Sequence, residues 1–218
     1  MTSAPFAPWE LTGESIACLA HWPGWRSRPP LPRGLHRLPG PALVVAVRYT
    51  GSPVGPYLEL AIGEPARLGA RPGWMITAMI VDSPESRMGG VLNWGFPKQM
   101  GTLRWTAEGR SRELRGEERG ISVRAEASRL VLPVLVPVRA LQHRADGPVV
   151  VPGRLRGRAN VSAVSVSVDD DGDPLAGLAG AHPGVVVAGM RFIVKPARHP
   201  AGLTASLRAP LRAPEPVG

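Results

Sequence analysis

The sequence predicts a mainly β protein, built on a curled antiparallel sheet or a barrel-like closure with few short helices; an α+β arrangement is the alternative. Three observations lead there. Seven segments from residue 43 onward carry the β-branched, aromatic or alternating character of strands: 43–49 (LVVAVRY), 57–63 (YLELAIG), 74–81 (WMITAMIV), 103–108 (LRWTAE), 120–128 (GISVRAEAS), 161–168 (VSAVSVSV) and 184–195 (GVVVAGMRFIVK). The turns between them bear glycine and proline, of which the chain holds 26 and 25. Few stretches suit a helix, and many short strands with such turns favour a sheet that curls or closes.

Taken in order, the chain opens with one further strand at 15–19, followed by a Pro/Trp/Arg-rich connection over 22–41 that reads as loop. The strands then succeed one another, with short helices predicted near Gln99 and around 174–180. Residues 1–198 are expected to form one domain, and 199–218, rich in Pro, Ala and Arg, a tail that is disordered or packed on a neighbour. Alternation in 57–63 sets Leu58, Leu60 and Ile62 on one face and Tyr57, Glu59 and Ala61 on the other. Glu59 is then a carboxylate in a strand otherwise suited to burial, unless that face is exposed.

Composition excludes several function classes. No basic segment followed by an apolar run opens the sequence, and no stretch approaches the ~20 apolar residues of a membrane span, so a cytoplasmic protein with no membrane partner is expected. Cys18, the single cysteine, leaves no internal disulfide and reads as a small buried hydrophobe. The five histidines show no paired metal spacing, and DDDGDP at 169–174 lacks the spacing of a calcium loop, so no metal is expected. The net charge of +9 comes from arginines scattered among acids, prolines and glycines, without a recognition helix or stacking array. Nucleic acid is therefore not the expected partner.

Of the 26 basic residues only Lys98 and Lys195 are lysines. Arginine stays protonated at ordinary pH, whereas a lysine amine can become a neutral nucleophile when buried. Lys98 sits in GGVLNWGFPKQM, where Gly89-Gly90 lead in, Trp94, Phe96 and Met100 offer apolar cover, and Pro97 fixes the backbone just before the amine.

The ordered set Tyr57-Leu58-Glu59, MIVDS ending at Asp82–Ser83, Gly90 and Phe96-Pro97-Lys98 resembles the acetoacetate decarboxylase family, and Glu59 precedes Lys98 by the 39 residues that family shows. The resemblance covers about residues 43–105, with weaker similarity in strand order up to Lys195. It implies the family's fold, Lys98 as the amine that condenses with a substrate carbonyl, and Glu59 as a proton shuttle or orienting acid. Tyr57, Trp94, Phe96 and Gln99 are the implied substrate neighbours, sharing one internal pocket with the 74–81 strand. The implied protein is a carbon–carbon lyase without a cofactor, acting on a β-keto acid or related small carbonyl compound and assembled as a homo-oligomer. Decarboxylation is the first expectation. An aldolase or dehydratase using the same lysine imine is the alternative within the class, and a non-catalytic small-molecule-binding protein the alternative outside it.

Five residues depart from the family's pattern. Gln99 stands where a second lysine follows the nucleophile, Val91-Leu92 where Arg-Glu is common, Val44 where an ungapped match expects an acid, and Glu14 where it expects an arginine. The implied pocket is less charged, and a substrate larger and more apolar than acetoacetate suits it.

Overall fold

The computed structural model describes residues 5–23, 28 and 30–200, and within them twelve strands make one curled sheet, accompanied by a single α-helix. The strands are β1 (Trp9–Ala20), β2 (Leu35–Arg37), β3 (Ala42–Gly51), β4 (Tyr57–Leu68), β5 (Arg71–Val81), β6 (Lys98–Met100), β7 (Leu103–Glu108), β8 (Ser111–Gly116), β9 (Ile121–Glu126), β10 (Val131–Arg144), β11 (Gly147–Val168) and β12 (Gly180–Val194); the helix is α1 (Pro84–Trp94). Their order runs β10-β5-β4-β3-β1-β12-β11-β9-β8-β7, and β10 also pairs with β11. The middle of the sheet therefore closes on itself. The closing contact is narrow, with Ala140 opposite Trp74 and Leu141 opposite Met75 in a parallel pair.

Closure explains why β1, β3 and β4 are apolar on both faces. Ile16, Cys18, Val44, Ala46, Leu60 and Ile62 pack outward against Leu114, Ile121 and Val123, because the β7–β9 extension folds back over them. Trp9, Leu11, Val47, Tyr49, Tyr57 and Ala61 face inward with Ile76, Met79 and Val187. The alternation expected in 57–63 holds, and its Tyr57-Glu59 face looks into the closed region instead of solvent. Cys18 lies in the outer core as a free thiol, where burial raises its pKa from 9.0 to about 11.

The structure corrects several element boundaries. The 15–19 strand is the end of β1, and 161–168 is the last part of β11, a strand of 22 residues. β8 and β10 were not expected. Pro133 and Pro137 make VLPVLVPV look like turns, but β5 reaches β10 only at Ala140 and Leu141, so both prolines occupy a free edge where a missing N–H is tolerated. Gln99 lies in β6, not in a helix, and the helix is α1, some residues earlier. The 174–180 helix shrinks to a single 3-10 turn at Ala176–Leu178. The 22–41 connection contains β2. Of the expected tail, 201–218 lies outside the described residues; Arg198 makes two backbone hydrogen bonds with Val150, and His199 contacts Asp146. Among the described residues no helix is long and apolar enough to cross a membrane.

Candidate active site

The start and stop of α1 set the position of the chain just before Lys98. Ser83 caps the helix, its hydroxyl accepting the Ser86 N–H at 3.1 Å, Pro84 occupies the first turn and Glu85 meets the positive end of the helix dipole. Gly95 ends it at φ 72°, a left-handed conformation, with its N–H on Val91 O and the Phe96 N–H on Gly90 O. The chain then turns through Phe96 and Pro97 into β6, which pairs in parallel with β5 so that Lys98 lies opposite Met79 and Gln99 opposite Ile80. Alternation sends Lys98 inward with Met79.

The lysine stem lies against the backbone of α1 at Gly90. A Cβ there would stand 2.5 Å from both Cδ and Cε of Lys98, so only glycine leaves room. The glycine pair that reads in the sequence as a flexible entry is helical, and Gly90 is a notch for the side chain.

Lys98 and Glu59 are 6% and 7% exposed. The Lys98 amine donates to Glu59 Oε2 at 2.7 Å and to Ser86 Oγ at 2.8 Å. It sits 5.3 Å from the centroid of the Tyr57 ring. The other carboxylate oxygen, Glu59 Oε1, accepts the Tyr49 hydroxyl at 3.2 Å, which leaves Oε2 turned to the lysine. Burial first, and then the Glu59 charge, hold the Tyr49 and Tyr57 phenols well above the ordinary value of 10.0. Ser86, whose hydroxyl accepts from the amine, acts on Tyr57 the other way and lowers its pKa. Both phenols stay protonated and can act as donors near the amine.

These groups open onto a cavity of about 940 Å³. Among the described residues its only charged lining side chains are Lys98, Glu59 and Arg139, and most of the wall is aliphatic or aromatic. Trp94 and Phe96 line it as expected, with ring centroids 5.7 Å apart; Trp94 also meets Trp9 edge-on at 5.1 Å and donates its indole N–H to Lys195 O at 2.8 Å. Ile76 and Met79 of β5 line it too.

Gln99 is a correction. One residue after Lys98 on a strand, it points away, is exposed and does not line the cavity. Met100, 45% exposed, gives the amine no cover either. Lys195 is exposed and touches the site only through its backbone carbonyl. Val44 faces the outer core, so the β3 residues at the cavity are Leu43, Val45, Val47 and Tyr49. Glu14 pairs with Arg48 and Arg112 while its neighbour Ser15 lines the cavity. Two contacts of the central pair went unread in the sequence. Tyr49 carries a weak signal, as the lone hydroxyl at the end of an apolar strand; Ser86 carries none beyond its place in a helix first turn.

The site is thus a buried amine paired with a carboxylate, opening onto a largely apolar cavity of a closed, curled sheet. The chain is similar to the acetoacetate decarboxylase family, consistent with a divergent member: the family model described as Acetoacetate decarboxylase (ADC) matches residues 28–134, which include both Glu59 and Lys98. Solved structures share the fold. Acetoacetate decarboxylase from Legionella pneumophila subsp. pneumophila str. Philadelphia 1 aligns with a TM-score of 0.72 at 15% identity, over 92% of this chain and 90% of that one. The enduracididine biosynthesis enzyme MppR complexed with pyruvate aligns with a TM-score of 0.69 at 18% identity, over 89% and 90%. The same enzyme, complexed with the condensation product of pyruvate and imidazole 4-carboxaldehyde, aligns at 0.67 and 17% over 89% of each chain. No curated protein matches by sequence.

Proposed function

We propose that the protein is a Schiff-base-forming carbon–carbon lyase, with Lys98 as nucleophile and decarboxylation of a β-keto acid as its reaction. The observation that carries this reading is the Lys98 amine, buried in an apolar cavity and 2.7 Å from a carboxylate able to take and return its proton. In the proposed sequence Glu59 accepts a proton from Lys98, and the amine attacks the substrate ketone. Loss of water gives a protonated imine. The bond to the carboxylate then breaks, its electron pair flows into the imine, and carbon dioxide departs. Protonation of the resulting enamine at carbon and hydrolysis release the shortened ketone and return the amine. Tyr49 holds Glu59 in position, and Ser86 and Tyr57 offer hydroxyls beside the carbonyl oxygen that leaves as water.

A second reading, aldol condensation or dehydration through the same imine, is favoured by one feature. Among the described residues no cation other than Lys98 and Arg139 lines the cavity, so a substrate carboxylate beside Glu59 has little to balance it. MppR, a structural neighbour solved with a condensation product of pyruvate, makes that chemistry relevant. A homo-oligomer in the cytoplasm is part of the same proposal.

Borohydride reduction in the presence of keto acids, or of aldehyde and pyruvate together, tests both. The substrate mass should appear on Lys98, and carbon dioxide release separates the two reactions. Lys98→Arg keeps the charge but cannot form the imine, so it should lose both trapping and turnover. A folded Lys98→Arg protein that still turns over its substrate rejects the mechanism, and a wild type that binds ketones without being trapped points to a binding protein.

A further inference from the structure

We infer that the carbonyl compound taken by Lys98 carries a long apolar tail, an alkyl or aryl substituent that fills the cavity between the lysine and β10; this rests on the Schiff-base reading above and names its substrate class. Three observations support it. The cavity of about 940 Å³ lies near the top of the roughly 300–1,000 Å³ range of sites that take drug-sized ligands, and a four-carbon keto acid would leave most of it empty. Its charge is confined to two places. Lys98 and Glu59 form one, already neutralised by each other at 2.7 Å, and the other is Arg139, on an exposed stretch of β10 with its guanidinium donating to Pro72 O at 2.9 Å. Between them the wall includes Val187, Ala159, Leu155, Phe192 and Val134, none with a polar side-chain atom to receive a hydroxylated or charged tail.

The third observation is the gradient of exposure. Lys98 is 6% exposed, while Val136, which lines the same cavity, is 40% exposed on the free edge of β10. A ligand with its carbonyl at the amine and an apolar tail lying toward β10 leaves no polar group buried without a partner. A short keto acid leaves an apolar void, and a polyhydroxylated chain strands its hydroxyls against valine and phenylalanine. Imine formation stays balanced whatever the tail: a C–N bond forms, the carbonyl oxygen leaves as water, and the tail takes no part.

The test is reductive trapping of the wild-type protein with methyl alkyl ketones from acetone to methyl octyl ketone. The concentration giving half-maximal labelling of Lys98 should fall roughly fourfold per added methylene, the equivalent of about 0.8 kcal/mol each, until the cavity is full. Ala159→Phe, which places a ring in the middle of the cavity, should flatten that dependence. Labelling equal for short and long ketones overturns the apolar-tail assignment and leaves the Lys98 reading standing. If no ketone is trapped, the Schiff-base reading fails, and the same series titrated against tryptophan fluorescence decides the tail separately, since Trp9, Trp74 and Trp94 line the cavity. Binding that then strengthens with chain length upholds the tail; binding flat along the series overturns it.

Discussion

Gly90→Ala should separate the position of the lysine from the stability of the fold. The added Cβ would lie 2.5 Å from Lys98 Cδ and Cε, whereas carbon atoms in ordinary contact are about 3.5–4.0 Å apart, so the stem must retreat by about 1 Å. The helix backbone cannot easily give way, being fixed by the Ser83 cap at one end and Gly95 at the other. The amine moves off Glu59 and Ser86. A misplacement of about 1 Å can cost on the order of 10²-fold in rate, which is the loss expected in kcat/KM and in the rate of borohydride trapping. Stability should respond differently, because alanine in place of glycine inside a helix contributes about 0.8–1.0 kcal/mol, offsetting much of what the loosened ion pair loses. Turnover and thermal unfolding measured on the same preparation check both. Wild-type activity in a folded Gly90→Ala protein would refute the notch, and an activity loss matched by unfolding would show that Gly90 serves the fold instead.

Ser86→Ala removes one of the two acceptors of the amine, a hydrogen bond to a charged group worth about 1.5–3 kcal/mol; turnover should fall by roughly tenfold or more with the circular dichroism spectrum unchanged. The chain has two tyrosines, both buried, and ultraviolet titration should show no phenolate in the native protein at pH 10 but ionisation of both on denaturation. Because their folded pKa values are raised, their contribution to stability is fully present below about pH 10 and is lost as pH rises above it toward the folded values. Lys98→Met alone strands a buried carboxylate and should cost about 3–5 kcal/mol in denaturant unfolding, whereas adding Glu59→Gln should recover much of it. Light scattering should report a homo-oligomer, since Leu130, Leu132 and Leu135 stand 59%, 48% and 57% exposed along one strand edge; a 23.1 kDa monomer would contradict this.

How much was legible depended on how local the cause was. Glu59 and Lys98 could be paired from sequence only through the family resemblance, whose ordered motifs and 39-residue separation they match; the local signals, a carboxylate on an apolar strand and a lysine behind Phe-Pro, marked each residue singly. Alternation set Glu59 on one face with Tyr57 and Ala61, but that this face turns inward depends on the closure of the sheet. The same rule, applied to β6, would have turned Gln99 away, but three residues are too short a run to show a period, and the segment was read as helix. The helix itself hid behind Gly89-Gly90, which lower helix propensity; the reason for Gly90 is a side chain eight residues later, invisible until both are placed. β10 was missed for the same kind of reason, since the free edge that admits Pro133 and Pro137 is a property of the closed sheet. Tyr49 carried only a weak signal, and its contact with Glu59 could not be read because that partner comes from the neighbouring strand, through a register in which Tyr49 lies opposite Tyr57.

The arrangement divides the work between two layers. β4 is packed outward through Leu60 and Ile62 and inward through Tyr57 and Ala61, so the backbone bearing Glu59 is held from both sides before any substrate arrives. A lysine is a different problem, since its stem loses up to about 1.5–2 kcal/mol of rotamer freedom when ordered. Here the stem is fixed at three points: the Gly90 notch, Ser86 and the Glu59 carboxylate. Only the last is an ion pair, and an imine nitrogen, with fewer protons than the ammonium, can keep the notch while giving up one of the two hydrogen bonds. In the proposed imine chemistry a carboxylate released in that way would be free to receive the next proton, so the contact that steadies the resting amine would also be the one that becomes available as that reaction begins.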